Sequence, residues 1–256
     1  MIGSAKDLEA AQLQDVTRFF ASWYVPANAV LAIVGDVEPA AAFAAVERYL
    51  GWIDGPKPPE RKVIRPLPLV KDEKLQLTDR VELPRLLLAW QSPKQATRED
   101  AECELLATIL GHGKASRLYE RLVHQDGIAA EVSVQQGSRE AQSVFGIDVQ
   151  AAPGHTLGEL QTAVDDELQK FLAKGPSQAE LDASRTGLYT EAARDLEGLV
   201  PRAIRLTAYQ FDFGAADSLE SDLRRYESAT PESVRETAAK VLKAPRVMVE
   251  VTPVKP

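Results

Sequence analysis

The sequence is poor in the residues on which many secreted proteins and metalloenzymes depend. It has one cysteine, Cys103, and three histidines, His112, His124 and His155, among its 256 residues. A single cysteine excludes a disulfide framework and a cysteine-based metal site. No two histidines have the three- or four-residue spacing that places both on one helical face for zinc. We therefore expect Cys103 to be a half-buried helical residue and the histidines to lie in turns or on the surface.

Positive charge and long apolar runs are also scarce. The chain has 30 Lys and Arg against 38 Asp and Glu, a formal net charge of −8. Nothing in it resembles the basic stripe of a nucleic-acid-binding protein. No run is long enough to span a membrane, and the first residues lack the basic and apolar regions of a signal peptide. The sequence therefore predicts no nucleic-acid partner and no membrane span.

The most distinctive stretch is LGHGKASRLYERLVH, residues 110–124. A phosphate-binding P-loop needs G-x-x-x-x-G-K followed by Ser or Thr, after a strand. Here Gly113 and its lysine are followed by alanine, and the preceding residues are helical in pattern. We predict instead that Gly111 ends a helix in the left-handed conformation, that Gly113 is a flexible joint and that Ser116 caps the next helix. A phosphate-binding module at Gly111 to Lys114 is the weaker alternative.

Other catalytic patterns are missing as well. The sequence has no G-x-S-x-G segment on which a nucleophilic serine could stand. The carboxylates Glu99, Asp100, Glu102 and Glu104 could suggest an acid–base pair, but they fall in the first turns of a helix, where negative charge is favourable. We interpret them as a solvated helical face. The residues alone thus predict no catalytic group, no cofactor site and no metal ligand.

Apolar periodicity predicts an alternation of helices and strands. The N-terminal part contains a helix at 8–23, a buried strand at 29–36 (AVLAIVGD) and a helix after Pro39 that ends at Gly51. Beyond residue 73 the predicted strands are 74–80, 85–92, 130–137, 143–152 and 246–252, and the predicted helices are 98–110, 116–124, 156–173, one from the capping box Ser177-Gln-Ala-Glu180, one at about 197–211 and one from Thr230-Pro231.

The domain organisation follows from a proline-rich segment and an internal similarity. Residues 54–84 contain six prolines, which predicts an extended linker. Residues 14–36 and 232–253 both read as a helix, a proline-marked break and a buried strand, which indicates an internal repeat of domain size. We therefore expect residues 1–53 to be the end of a first domain, 54–74 a proline-rich linker and 75–256 a complete second domain.

Two phrases of the sequence resemble a known family. IGSAKDLEAAQLQDVTRFFASWYVPANAVLAIVGDVEP (2–39) resembles the segment that ends the first domain of insulinase/pitrilysin-type zinc peptidases, with its phrase Y-x-P-x-N-a-x-L-x-x-x-G-D. ATILGHGKASRLYERLVHQDGIAAEVSV (107–134) resembles the turn and helix L-G-x-G-x-x-S-R-L of that family's second domain. The resemblance implies an α+β fold, a sheet flanked by helices of the metallopeptidase-like (LuxS/mitochondrial-processing-peptidase-like) class. In this family two similar domains enclose unfolded peptides in a chamber.

The resemblance also defines what this chain lacks. In the family the first domain carries an inverted zinc motif, H-x-x-E-H, in which the glutamate activates a zinc-bound water. No H-x-x-E-H occurs here, so the resemblance implies zinc in a full-length parent and no metal ligand in this chain. Many members also present an arginine and, seven residues later, a tyrosine to the active site. Alignment on Gly127 places Val123 and Ala130 at these positions, and neither side chain can donate a hydrogen bond to an oxyanion.

The favoured hypothesis is the C-terminal, non-catalytic part of an insulinase-family zinc metalloendopeptidase. It would form half of the chamber and bind extended peptide by adding a strand to a sheet edge, RLLLAWQS (85–92) or AEVSVQQG (130–137). The alternative is a structural scaffold subunit of the same fold. The implied partners are a peptide or unfolded polypeptide and a homologous subunit or second copy. The sequence does not decide the compartment, and the periplasm and the cytoplasm of a bacterium both stay open. The turn residues Gly111, Gly113, Ser116 and Arg117 would be substrate-facing or structural, with Arg117 as the anchor of the turn.

Overall fold

A computed structural model describes residues 4–254. The first three residues of the expected range 1–53 and the last two of the expected range 75–256 lie outside the described residues. The chain divides into two compact units, one formed by residues up to 63 with 193–218, and the other by residues 64–192 with 219 onward. The expected α+β class is confirmed, because a five-stranded sheet is combined with helices.

The described elements are mostly those that the sequence predicts. The strands are β1 (Glu73–Asp79), β2 (Arg85–Ser92), β3 (Ala129–Gly137), β4 (Ser143–Ala151) and β5 (Arg246–Pro253). The helices are α1 (Ala5–Ala10), α2 (Leu13–Trp23), α3 (Pro39–Leu50), α4 (Arg98–Gly111), α5 (Arg117–Tyr119), α6 (Leu157–Lys174), α7 (Gln178–Glu197), α8 (Leu199–Phe213), α9 (Leu219–Glu227) and α10 (Pro231–Leu242). A π-helical turn, Glu120–Gln125, continues α5. The sequence did not predict α9.

The sheet of the second unit has the order β1-β5-β2-β4-β3. The C-terminal strand β5 is parallel to β1 and antiparallel to β2, and β4 is antiparallel to both β2 and β3. Strands β1 and β3 are therefore the two edges of the sheet, and the other three strands are internal.

One face of this sheet carries the core. Alternate residues of the central strands are almost fully buried against α4, α6 and α10, including Leu86, Leu88 and Trp90 of β2, and Phe145 and Ile147 of β4. The opposite residues of β2 and β4 are half-buried or, at Arg85 and Val144, exposed. This alternation is typical of a sheet that is packed on one side.

Local signals start the long helices as predicted. The backbone N–H of Glu180 donates to Ser177 Oγ (3.2 Å), and the Ser177 N–H donates to Glu180 Oε2 (2.7 Å). This reciprocal pair is a capping box, which satisfies donors that a helix start leaves without partners. Thr230 accepts from the Ser233 N–H (3.1 Å), with proline at the first helical position.

The first unit contains α1, α2, α3 and α8, and it corrects one prediction. Residues 29–36 form neither helix nor strand, and the side chains of Val30, Leu31 and Ile33 are exposed. A strand needs a neighbouring strand for its backbone donors and acceptors, and no segment among residues 4–254 pairs with this one. Most large apolar side chains of α2 are exposed too, among them Phe19 and Phe20.

Candidate functional site

The turn after α4 is built around a close backbone contact. A Cβ atom on Gly111 would lie 2.3 Å from Val134 Cγ2 and 2.8 Å from Val134 N. Glycine is therefore needed where α4 approaches β3, and the expected left-handed conformation of Gly111 is wrong. The positive φ falls at Gly113 (φ 77) instead. The turn follows a helix, whereas a P-loop requires a preceding strand.

Ser116 and Arg117 have roles other than those expected. Ser116 occupies the cap position of α5 but donates its hydroxyl to the Gly113 carbonyl (2.7 Å), with no side-chain capping bond. Arg117 does not anchor this turn. Its guanidinium donates to Glu180 Oε1 (2.6 Å) and Oε2 (2.9 Å) and to the carbonyl of Gly175 (3.0 Å). The hydrogen bond from Arg117 lowers the pKa of Glu180 to about 2. Through these hydrogen bonds Arg117 connects α5 to the start of α7 and to the loop between α6 and α7.

Two further positions carry no hydrogen-bond donor in their side chains. Val123 is half-buried and packs against the core. Ala130 is exposed and lies at an irregularity in β3, where the pairing with β4 shifts between Ala129 and Glu131. A bulge of this kind bends an edge strand. The regular part of β3 therefore starts at Glu131.

The sheet order decides which strand can offer an edge. β2 (residues 85–92) pairs with β4 on one side and β5 on the other. The prediction that it offers an edge is wrong, because the C-terminal strand occupies its second side. β3 pairs with β4 alone among the described strands, so the prediction of an edge at 130–137 is confirmed.

Hydrogen bonds beside β4 indicate which backbone groups of β3 point outward. The Ala151 N–H donates to the Pro84 carbonyl (2.8 Å), next to β2, and the Ala152 N–H donates to the Ile128 carbonyl (2.8 Å), next to β3. Since these directions alternate along a strand, the pairs Ser133–Asp148 and Gln135–Gly146 exchange hydrogen bonds. The backbone N–H and C=O groups of Val132, Val134 and Gln136 consequently point away from the sheet. They form a row of main-chain donors and acceptors at its edge.

The face of the sheet turned away from the core, called here the open face, is divided chemically. The registers place apolar side chains on its β1, β5 and β2 part and mainly polar ones on its β4 and β3 part. An ion pair between Arg85 and Asp148 (2.5 Å) lies between the two parts. The apolar members are Leu75, Leu77, Leu87, Ala89, Val247, Val249 and Val251, and the polar members of β4 and β3 are Asp148, Gln150, Glu131, Ser133 and Gln135.

The acidic residues of α4 are not the solvated face that the sequence suggested. Glu99 is exposed, but Asp100 and Glu102 are each only 3% exposed. Glu102 accepts from Thr237 Oγ1 (2.5 Å) and Arg98 Nε (3.1 Å). These carboxylates are paired across the fold to other helices and to β3, which a sequence pattern along one helix cannot reveal.

Cys103 lies on the same helix and is fully buried. Its helical, buried placement was expected, although the burial is more complete than predicted. Burial raises the pKa of the Cys103 thiol to about 12. The thiol is therefore protonated at neutral pH and is a packing group rather than a nucleophile.

Glu104 should make stability depend on pH. Burial raises the pKa of Glu104, although a hydrogen bond from Tyr226 Oη (2.5 Å) acts in the opposite direction. The folded state therefore keeps a proton that the unfolded chain loses near pH 4.3 or so. For this group the free energy of unfolding is highest below that pH and falls as pH rises through the raised folded pKa. Glu104→Gln should remove this loss.

Urea unfolding at several pH values checks the prediction. The stability of the Glu104→Gln variant relative to wild type should increase between about pH 4 and pH 8. Glu99→Gln, an exposed change on the same helix, is the control for the loss of one carboxylate from α4. A Glu104→Gln difference that is flat or decreases with pH would contradict the account.

Comparison with known proteins gives this geometry a family. The family model described as "peptidase M16 inactive domain" matches residues 10–188, which is more than half of the chain. The chain belongs to the peptidase M16 family. It is 26% identical over 203 residues to zinc protease PqqE of Helicobacter pylori, covering 77% of this chain and 45% of that protein. It is 24% identical over 247 residues to a zinc protease of Mycobacterium tuberculosis, covering 94% of this chain and 56% of the relative. The chain thus spans about half the length of the curated relatives it matches.

Solved structures share the fold of this M16 chain. A peptidase M16 inactive domain from Pseudomonas fluorescens matches with a TM-score of 0.85 and 24% identity, over 99% of this chain and 60% of that chain. A chain of complex III2 from Candida albicans matches with a TM-score of 0.78 and 18% identity, over 98% and 61% of the respective chains. These likenesses show the fold, and the expected resemblance to the zinc-peptidase family is confirmed by the family match.

The part of this M16 chain that the structure describes offers no ligand set for a zinc ion. Among residues 4–254, no group of three or more His, Cys, Asp or Glu side chains could hold a metal. His124 and His155 each lie 3.4–3.5 Å from a glutamate of their own segment, Glu120 and Glu159. The same part of the chain has no helix whose length and apolar character would suit a membrane span.

Proposed function

We propose that this chain is the non-catalytic half of an M16 zinc metalloendopeptidase, and that the zinc site belongs to another part of the longer protein or to a homologous subunit. The observation that carries this proposal is the family match combined with the lack of a ligand set among the described residues. The names of the relatives, which are called zinc proteases, support it.

We propose further that the open face lines one half of a peptide-enclosing chamber. Its apolar part can receive the apolar side chains of an unfolded peptide. The outward peptide groups of Val132, Val134 and Gln136 can add the backbone of such a peptide to β3 as another strand. Main-chain hydrogen bonds of this kind need no special side chain, which suits a domain without catalytic residues.

The domain proposal keeps the boundaries that the sequence suggests: 1–53 the end of a first, catalytic-type domain, 54–74 the linker and 75–256 the second domain. In the repeat, α2 and residues 29–36 correspond to α10 and β5. Val234 and Ala238 of α10 are buried and β5 is an internal strand, whereas the corresponding side chains in the first unit are exposed. We infer that residues 29–36 become an internal strand when the rest of a first-domain sheet is present.

N-methylated peptides test the peptide-binding proposal. A peptide methylated on alternate residues keeps one complete hydrogen-bonding edge, whereas a peptide methylated on every residue keeps none. With a fluorescent extended peptide, we expect the unmodified and the alternately methylated forms to bind. The fully methylated form should bind at least about tenfold more weakly, since it loses several hydrogen bonds.

Amide hydrogen exchange locates the bound peptide. Binding should slow exchange at the outward amides of Val132, Val134 and Gln136, while the amides of Ser133 and Gln135, already bonded to β4, serve as internal controls. Equal binding of all three peptides, or protection that appears elsewhere, would contradict strand addition to β3. Absence of binding by any peptide would contradict the proposed function.

The second candidate is a structural scaffold subunit of the same fold. The observation that favours it is the fold likeness to a chain of complex III2. A scaffold needs no free sheet edge and no affinity for unfolded peptide, so the peptide experiment separates the two candidates.

A further inference from the structure

A short segment of the linker is held against the open face by one side chain. Residues 66–70 (PLPLV), called here the strap, form neither helix nor strand. Gln91 Nε2 donates to the Leu67 carbonyl (2.7 Å), and the Leu69 N–H donates to Gln91 Oε1 (2.8 Å). Gln91 lies near the end of β2 and is paired in register with Val144, so its side chain is on the open face.

Both hydrogen bonds from Gln91 are made to backbone atoms of the strap, so they do not depend on the side chains of the strap. A single carboxamide satisfies the carbonyl of one residue and the N–H of the residue two positions later. In an extended chain these two groups point to the same side, so other extended peptides can offer the same pair. The Leu67 side chain is 86% exposed and contributes little packing.

The strap is also a weak competitor. Two hydrogen bonds to one side chain hold the strap, and the side chains of Leu67 and Val70 are exposed. A peptide that makes the same two hydrogen bonds and also buries apolar side chains on the open face gains contacts that the strap lacks. The strap can therefore be displaced by a better ligand of its own kind.

We propose that Gln91 is a backbone-binding residue for extended peptide on the open face, and that residues 66–70 occupy this subsite as an internal strap until a peptide displaces them. This proposal rests on the proposed peptide-binding function and adds a subsite and a built-in competitor to it.

Two proline substitutions in the strap form a matched pair. Leu69→Pro removes the N–H that donates to Gln91, whereas Leu67→Pro keeps the carbonyl that accepts from it. Leu69→Ala controls for loss of the half-buried Leu69 side chain. Using the fluorescent extended peptide and the full chain, we expect Leu69→Pro to bind about three- to tenfold more tightly than wild type, because one hydrogen bond of the closed strap is lost. Leu67→Pro and Leu69→Ala should bind like wild type.

The role of Gln91 is measured with the strap already released. In the Leu69→Pro background, Gln91→Glu replaces the amide donor with a carboxylate that repels a peptide carbonyl. We expect the peptide affinity to fall about three- to tenfold, the effect of one or two lost hydrogen bonds. Hydrogen exchange at the Leu69 amide of wild type should accelerate when peptide binds.

The outcomes distinguish this proposal from the function on which it rests. Equal affinities for Leu69→Pro and Leu67→Pro would overturn the strap, and an unchanged affinity after Gln91→Glu would overturn the subsite. If peptide binds at β3 while the Leu69 amide stays protected, the strap proposal fails and the proposed function stands. If no peptide binds to wild type or to any variant, both fail.

Discussion

Asp100→Ala is expected to lower the free energy of unfolding by about 3–5 kcal/mol, the usual effect of removing one partner from a buried charged network. Asp100 Oδ1 accepts from Gln136 Nε2 (2.9 Å) and Ser138 Oγ (2.6 Å), and Oδ2 accepts from the Ala96 N–H (3.1 Å). Arg225 lies 3.5 Å from the same carboxylate. Alanine would leave several buried donors without their acceptor.

Three variants define the origin of this effect. Asp100→Asn keeps one acceptor oxygen and should cost roughly half as much. Glu99→Ala, an exposed change one residue away, should stay within about 0.5 kcal/mol of wild type. Ala96→Gly should stabilise the fold by about 1 kcal/mol, because Ala96 has φ 64 and glycine tolerates that region. If Asp100→Ala unfolds in urea like Glu99→Ala, the network does not hold α4 to β3 as described.

Gly111→Ala is expected to destabilise the fold by about 2–3 kcal/mol, the upper part of the roughly 1–3 kcal/mol range for overpacking a close contact. The added methyl group would meet the side chain and the backbone nitrogen of Val134 on β3. The higher helix propensity of alanine offsets only about 1 kcal/mol. Because Val134 lies on the edge strand, the same variant should also weaken peptide binding at β3.

Gly187→Ala provides the matched control for this substitution. Gly187 lies inside α7, and a Cβ atom there meets nothing within 4 Å. The change should stabilise the chain by about 0.5–1 kcal/mol through helix propensity alone. Thermal unfolding of both variants gives the comparison. Two variants with the same sign of change would contradict the close contact between α4 and β3.

The sequence predicted those elements whose signals are local. The strands of the second unit, most helices and the Ser177 cap depend on alternation, periodicity and side chains three residues apart. Helix α9 was missed although Leu219, Leu223 and Tyr226 of LESDLRRYE recur at helical spacing, because the segment has only 9 residues and is dominated by charge. It is held by polar contacts to distant residues, such as the bond from Tyr226 Oη to Glu104.

The errors concern contacts between segments far apart in the chain. Nothing local shows that β5 takes the second side of β2, or that Asp100 faces Gln136 and Ser138 on and after β3. Gly111 was recognised as a special residue, but the reason is an approach to Val134 and not a left-handed turn. Residues 29–36 have the composition of a buried strand, yet a strand forms only where neighbouring strands exist.

Peptide hydrolysis tests whether this chain is the non-catalytic half of a zinc peptidase. A quenched fluorescent peptide is incubated with this chain, with a zinc-bearing M16 chain that has H-x-x-E-H and is encoded in the same genome, and with a mixture of the two, each with and without a chelator. We expect no cleavage by this chain alone, and faster cleavage by the mixture than by the zinc-bearing chain, with all cleavage abolished by the chelator. Chelator-sensitive cleavage by this chain alone, or a mixture no faster than its zinc-bearing member, would contradict the assignment as a non-catalytic half.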